Sequence, residues 1–200
     1  HVSKTSVTWY PDVLDVVRTR LTPDQANTSS DDNDYVLAHA ATNKSSDIFG
    51  AVLSGIENDV TPQELENLLT HRGFKGRSLL SAAAKVGDKT SFEAILEAVR
   101  TRSTPDQVKT MQMSYDDDNE SVLAHAAANK SPDVFGAVMS GIENDVRPQE
   151  LENLLTHRGF KGRSLLSVAA KVGNKDSFEA VLEAVQTRLT PDQVSRFEYG

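Results

Sequence analysis

The sequence predicts an all-α fold, a solenoid built from about three helices per 43-residue unit, and three observations predict it. The run P-Q-E-L-E-N-L-L-T-H-R-G-F-K-G-R-S-L-L-S begins at Pro62 and begins again, unchanged, at Pro148, 86 residues later. Inside each 86-residue copy lies an older repeat of 43: Leu37, Leu80, Leu123 and Leu166 keep that spacing, followed by Ala40-Ala41, Ala83-Ala84, Ala126-Ala127 and Ala169-Ala170. Between these landmarks, apolar residues recur at i, i+3, i+4 and i+7, which is one face of an α-helix. Self-similarity at a fixed period means one supersecondary unit stacked on copies of itself. The 200 residues therefore read as a single repeat domain, with units at about 1–33 (partial), 34–76, 77–119, 120–162 and 163–200.

Residues 77–119 serve as the type unit. Ser78 precedes L-L-S-A-A-A-K-V, and Gly87 follows it. Ser is a good N-cap and Gly suits the left-handed position after a helix, so this is a first helix of about two turns. Ala82, Ala83 and Ala84 permit close backbone approach. A second helix runs from about Lys89 to Arg102, with Phe92, Ile95, Leu96 and Val99 on its apolar face. Thr104-Pro105-Asp106-Gln107 then places Thr at the N-cap, Pro at N1 and Gln at N3, a capping-box start for a third short helix carrying Val108 and Met111. The loop S-Y-D-D-D-N-E leads onward.

The same three helices recur. The second-helix face is Phe49, Val52, Leu53 and Ile56 in residues 34–76. It is Phe135, Val138, Met139 and Ile142 in residues 120–162, and Phe178, Val181, Leu182 and Val185 in residues 163–200. Third helices start at Thr61-Pro62, at Pro148 and at Thr190-Pro191. Tyr10, Val13, Leu14 and Val17, followed by Thr22-Pro23-Asp24-Gln25, match the tail of an earlier unit, so the sequence begins mid-repeat. Pro23 to Leu37 is 14 residues where Pro105 to Leu123 is 18, which predicts a stunted third helix there. The polar stretch 27–34 is expected to be the most mobile.

Composition narrows the function classes. The net charge of −8 opposes general nucleic-acid binding, which needs a basic footprint. No apolar stretch approaches the length of a membrane span, and residue 1 does not open a signal-peptide pattern. With no cysteine, disulfides and thiolate metal sites are excluded. An apolar fraction of 38% and an aromatic fraction of 6% are low, which suits a fold in which Ala fills tight helix–helix contacts.

The segment from Gly76 to Leu96 resembles an ankyrin repeat. Ser78 stands where the family has Thr, Leu80 matches its Leu, Ala83-Ala84 match its Ala pair, Gly87 its Gly and Ile95-Leu96 its Leu pair. Gly162 to Leu182 repeats the match. Lys44 and Lys130 replace the Gly in the other two units, and Tyr35 replaces the initial Thr or Ser. Two features depart from the family: Leu79, Leu165, Val122 and Val36 take the Pro position of its Thr-Pro-Leu-His start, and the period is 43 rather than the usual 33. The extra ten residues fit the third helix. Armadillo or HEAT repeats share a period near 43 but lack this register, and three-helix Pumilio-type RNA readers conflict with the acidic charge. The resemblance implies binding of other proteins through a concave face or loop edge, without catalysis. Duplicated, diverged repeats of this kind are similar to those of secreted effectors of oomycete and other pathogens.

Candidate sites follow from the inter-unit loops, whose charge alternates. Asp31, Asp32 and Asp34 are acidic, and His71, Arg72, Lys75 and Arg77 are basic. Asp116, Asp117, Asp118 and Glu120 are acidic again, and His157, Arg158, Lys161 and Arg163 basic. In a solenoid these loops line one edge about 10 Å apart, close enough to attract across about a Debye length. One reading is register-setting between neighbouring units. The other is a striped edge that docks a partner through Arg72, Lys75, Arg77, Arg158, Lys161 and Arg163. Phe74 and Phe160, each in G-F-K-G, and Tyr115 in the acidic loop either fold onto the neighbouring unit or stand out as aromatic anchors. D-D-D-N-E lacks the alternating ligands and Gly of a calcium loop. His39 and His125 occupy first-helix positions filled by Ala82 and Val168 elsewhere, which predicts histidines wedged between units with one nitrogen hydrogen-bonded. No zinc-ligand spacing, phosphate loop, dinucleotide fingerprint or nucleophile elbow is present.

The expectation is a monomeric, non-catalytic protein-binding scaffold without cofactor, metal, nucleic acid or membrane insertion. It is either cytoplasmic or secreted and delivered into a host cell. The alternative is a regulatory or autoinhibitory module of a larger protein, motivated by the mid-repeat start and the abrupt end after Val194.

Overall fold

The structure, a computed structural model, describes residues 36–42, 46–58, 60–86 and 88–199. The partial unit at 1–33, the stretch 27–34 and the Gly87 helix stop lie outside the described residues. Among those described, the protein is all-α, with no strand and one isolated antiparallel bridge between Tyr115 and Ser121.

Among the described residues twelve α-helices follow one another: α1 Val36–Thr42, α2 Ser46–Glu57, α3 Pro62–Thr70, α4 Leu79–Val86, α5 Lys89–Arg102, α6 Pro105–Met113, α7 Val122–Ala127, α8 Pro132–Asp145, α9 Pro148–Thr156, α10 Leu165–Val172, α11 Lys175–Arg188 and α12 Pro191–Tyr199. Single-turn 3₁₀ segments at Phe74–Gly76 and Phe160–Gly162 precede α4 and α10.

The ends of the helices are written locally. Ser78 Oγ accepts from the Ser81 N–H at 3.1 Å and Ser164 Oγ from Ser167 at 3.2 Å, so α4 and α10 start at the expected caps, and Ser121 Oγ accepts from Ala124 at 3.1 Å in the same way at α7. Thr61 and Thr104 close capping boxes with Glu64 and Gln107, each ahead of a Pro at the first helical position. At α9, Arg147 stands in the Thr position; its backbone N–H donates to Glu150 Oε2 at 2.9 Å and its guanidinium to Oε1 at 2.8 Å. Gly173 ends α10 in the left-handed region at φ 74.

The first helices, α1, α4, α7 and α10, pack on one another in that order, and so do the second helices, α2, α5, α8 and α11. The third helices lie against the second layer: α3 touches α2 and α5, and α6 touches α5 and α8. First helices this short do not hold in water alone and depend on the packing. The core therefore runs along the stack. Phe49, Phe92 and Phe135, 43 residues apart, are fully buried, as are Leu37, Leu80 and Leu123. The alanine pairs Ala83-Ala84 and Ala126-Ala127 are inaccessible, which lets α4 and α7 approach closely. In the last unit Phe178 and Leu182 are half-buried, while Val181 and Val185 remain fully covered.

A second set of contacts locks the register between units. Arg102 pairs with Glu57 and Arg188 with Glu143, each 45 residues apart; Gln107 bonds Glu66 and Gln193 bonds Glu152, each 41 apart. Arg100 donates to Asp145 at 2.6 Å and to the Gly141 carbonyl at 3.0 Å, and buried Gln112 reaches the same carboxylate at 2.7 Å. Lys109 meets Glu150 at 2.6 Å. Exposed pairs contribute only about 0.2–1 kcal/mol each, so their main effect is to fix which turn faces which.

Candidate functional site: the turn edge

Among the described residues, each inter-unit turn is closed by the same backbone bond. Gly73 N–H donates to Arg77 O at 2.8 Å, Asp116 N–H to Glu120 O at 3.0 Å and Gly159 N–H to Arg163 O at 2.9 Å. The positions step by 43, so three equivalent turns line one edge. The basic turns need left-handed backbone at two consecutive residues: Lys75 and Gly76 at φ 57 and 65, Lys161 and Gly162 at φ 59 and 71. The acidic turn needs it at Asn119, φ 59, a residue that tolerates it.

The acidic turn lies between the two basic ones and touches both. On one side Arg77 Nε meets Asp116 Oδ2 at 3.2 Å, Arg77 Nη2 meets Asp118 Oδ2 at 4.0 Å and Lys75 Nζ meets Asp118 Oδ2 at 3.3 Å. The Asp117 N–H donates to Lys75 O at 2.9 Å, and Arg72 reaches the Tyr115 carbonyl as well as Gly76 O. On the other side Arg163 Nη2 meets Glu120 Oε1 at 3.0 Å, and Asn119 Nδ2 donates to Arg158 O at 3.2 Å. His157 Nε2 lies 3.0 Å from Asn119 O. The expected separation of about 10 Å is thus bridged by direct contact, because the left-handed residues fold the turns toward each other and the long cationic side chains span the rest.

Asp116 is the centre of this network. Its carboxylate is fully buried and accepts from Arg77, from the Asp118 N–H at 3.0 Å and the Glu120 N–H at 2.9 Å, and lies 3.0 Å from His125 Nε2. Burial pushes its carboxyl up, but the Glu120 N–H, His125 and Arg77 together hold it below the usual range. His125 is 4% exposed. Burial pushes its imidazole down to about 4, with Lys85 and Arg77 adding to the descent and Asp116 opposing it, so the ring is neutral at pH 7. It is the wedged, hydrogen-bonded histidine expected of that position.

His39 departs from that expectation: it is exposed rather than wedged. It borders a cavity of about 120 Å³ at the junction of α1, α3 and α4, also lined by Leu68, Gly73, Arg77 and Ala82. Gly73 and Ala82 stand where Asp116 and His125 fill the next junction, 43 residues on, and their missing side chains leave the space.

Of the residues expected on the edge, Arg72, Lys75, Arg77, Arg158, Lys161 and Arg163 do share it. Lys75 and Lys161 are exposed, and Arg77 and Arg163 are half-buried in ion pairs. Tyr115 folds inward: its ring packs on His157 at a centroid distance of 4.0 Å, and burial pushes its hydroxyl up. The side chains of Phe74 and Phe160 lie outside the described residues. Sequence reasoning missed the Asp116–His125 pair, although a signal for it exists. The turns with Gly at this position, Gly73 and Gly159, sit with Ala82 and Val168, whereas the turn with Asp116 sits with His125.

Among the described residues, no group of three or more His, Asp or Glu side chains is placed to hold a metal ion, and no helix is long and apolar enough to cross a membrane.

No protein-family model and no curated protein matches the chain. Among solved structures it is similar to a chain in the crystal structure of the yeast ribosomal protein Rps3 in complex with its chaperone Yar1. The identity is 17% and the TM-score 0.60, over 82% of this chain and 99% of that one. At that identity the likeness concerns the fold alone.

Proposed function

We propose that this chain is a non-catalytic protein-binding scaffold, a solenoid of ankyrin-like repeats that presents its inter-unit turns to another protein. The observation that carries the reading is the pair of helix layers joined by three equivalent turns on one edge. Such an array spends its interior on packing one unit against the next and leaves a long, rigid, chemically varied border outside. That border holds exposed Arg72, Lys75, Asp117 and Lys161 on turns closed by backbone hydrogen bonds. Rigid presentation lowers the entropy cost of binding. The fold it resembles was crystallised within a protein–protein complex, which fits the reading at the level of architecture.

Delivery into a host cell as a pathogen effector belongs to the same proposal and rests on the style of duplication. Capture on the immobilised chain from a host lysate, followed by identification of retained proteins, tests it. The reading expects a saturable protein partner that no nuclease treatment removes. Retention of nucleic acid alone, or turnover of a metabolite by the pure chain, would overturn it.

A further inference from the structure

Three equivalent junctions join neighbouring first helices, and two of them are filled. At α7 the Asp116 carboxylate and the His125 ring occupy the interior, 3.0 Å apart. One junction further on, Val168 is buried in the place of His125, and a Cβ placed on Gly159 would lie 2.3 Å from Glu120 Oε2. At the junction of α1, α3 and α4 the same two positions are Gly73 and Ala82. A Cβ placed on Gly73 meets nothing nearer than the Ala38 Cβ, at 3.9 Å. The space left over is the cavity of about 120 Å³, walled by Ala38, Leu68, Leu79, Ala82 and Arg77. An apolar cavity of about 150 Å³ takes benzene, so this one has room for a small ring. His39 and His71 stand at the same cavity with contacts of their own and are not assigned to a ligand.

One donor at this cavity lacks the acceptor that its equivalent keeps. The Glu120 N–H donates to Asp116 Oδ1 at 2.9 Å. The Arg77 N–H stands 43 residues earlier, in a turn closed by the same bonds. Gly73 N–H donates to Arg77 O at 2.8 Å and Gly76 N–H to Gly73 O at 2.9 Å; Asp116 N–H donates to Glu120 O at 3.0 Å and Asn119 N–H to Asp116 O at 2.8 Å. A left-handed residue, Gly76 or Asn119, precedes each of the two N–H groups. Glycine at 73 supplies no carboxylate, and among the described residues the Arg77 N–H has no hydrogen-bond partner. The Arg77 guanidinium is ordered through Nε by Asp116 at 3.2 Å, while its Nη2 lies 4.0 Å from Asp118, beyond hydrogen-bond reach. We infer that this cavity is a binding site for a small planar acid, a single five- or six-membered ring bearing one carboxylate. The carboxylate takes the place that Asp116 fills in the next junction, accepting from the Arg77 N–H beside the guanidinium charge. The ring takes the place of the His125 imidazole, against Leu68, Leu79 and Ala82. An apolar wall with a few fixed polar groups is the usual make-up of a small-molecule site.

The site goes beyond the scaffold reading, and neither stands or falls with the other. The probe is furan-2-carboxylate, titrated into the full chain and followed by amide NMR shifts. Saturable shifts are expected at millimolar acid or below, centred on Gly73, Arg77 and Ala82. The neutral furan-2-carboxamide and the ringless acetate should each bind weaker by roughly tenfold or more. Gly73→Asp combined with Ala82→His rebuilds the filling of the next junction, and should weaken furoate by roughly tenfold or more. Gly73 has no left-handed φ, so the aspartate meets no backbone strain there. Should the double variant fail to fold, Ala82→Val, which copies the buried Val168 of the third junction, decides alone. Gly136→Ala, on the distant α8, should leave the affinity within about twofold. Absence of saturable shifts overturns the inference, as does unchanged affinity in the filled variants. Acetate binding as tightly as furoate, or shifts centred on Gly159–Arg163 instead, would show an adventitious ion only and overturn it too. Equal binding of the carboxamide removes the acid from the assignment and overturns it likewise. So does a captured protein that Ala82→Val releases while no acid binds, since the occupant would then be a side chain of a partner.

Discussion

Removing the Asp116 carboxylate tests whether the turn edge is a structural clamp. Four groups depend on it: the Arg77 guanidinium at 3.2 Å, His125 Nε2 at 3.0 Å, and the backbone N–H groups of Asp118 and Glu120 at 3.0 and 2.9 Å. Its side chain is 0% exposed and that of Arg77 16%, so water does not stand ready to replace it. An unpaired buried donor costs about 1–3 kcal/mol, and breaking a buried ion pair from one side about 3–5 kcal/mol. The terms overlap, and Asp118 remains 4.0 Å from Arg77 as a partial substitute. Asp116→Ala should therefore destabilise by about 3–5 kcal/mol, roughly 6–20 °C in Tm for a chain of this size. Asp116→Asn keeps an acceptor and should cost about half as much, near the 1.5–3 kcal/mol of a charged hydrogen bond. Urea unfolding gives the free energies. Hydrogen exchange should show faster opening of residues 73–77 and 116–121 before the helices of the core. A loss below about 1 kcal/mol for Asp116→Ala, the value of an exposed pair, would refute the clamp.

Acid should unfold the protein through the same network. The unfolded imidazole of His125 takes its proton near 6.5 and the folded one only at about 4, so protons favour the unfolded state. That contribution is complete above pH 6.5 and is lost as pH falls toward 4, with a ceiling on the order of 3 kcal/mol; His125→Gln should flatten the stability curve over that window. Asp116, held low, contributes above the ordinary carboxylate range and adds a further loss below it. Gly50→Ala and Gly136→Ala fill open space on the helices α2 and α8 and should stabilise by about 0.5–1 kcal/mol each in urea melts. Gly76→Ala should cost several-fold more than Gly162→Ala, because both lose left-handed freedom but only the first collides with Asp117; equal costs would mean the acidic turn does not sit there. Reversing Arg72, Lys75 and Arg77 to Glu should lower Tm at low salt, with partial recovery at high salt, while partner capture survives if these side chains serve the stack.

The sequence by itself determined the helices and their order. Periodicity set the apolar faces around Phe49, Phe92 and Phe135, and short-range chemistry set the starts at Thr61, Thr104 and Ser164, because caps and amphipathic faces are encoded within a few residues of where they act. The alternation of acidic and basic turns was equally legible, and so was the choice between register-setting and docking. What the sequence left open was which side of each turn meets which neighbour. That depends on left-handed backbone at Lys75, Asn119 and Lys161 and on the small offset between stacked units, neither of which a charge pattern carries. The tertiary structure alone placed Asp116 beneath His125, turned Tyr115 onto His157, and put His39 in the open although it occupies the same repeat position as His125. Identical segments acquired different environments because each unit is completed by its neighbours: Gly76 lies under Asp117, and Gly162, in the same words of sequence, does not.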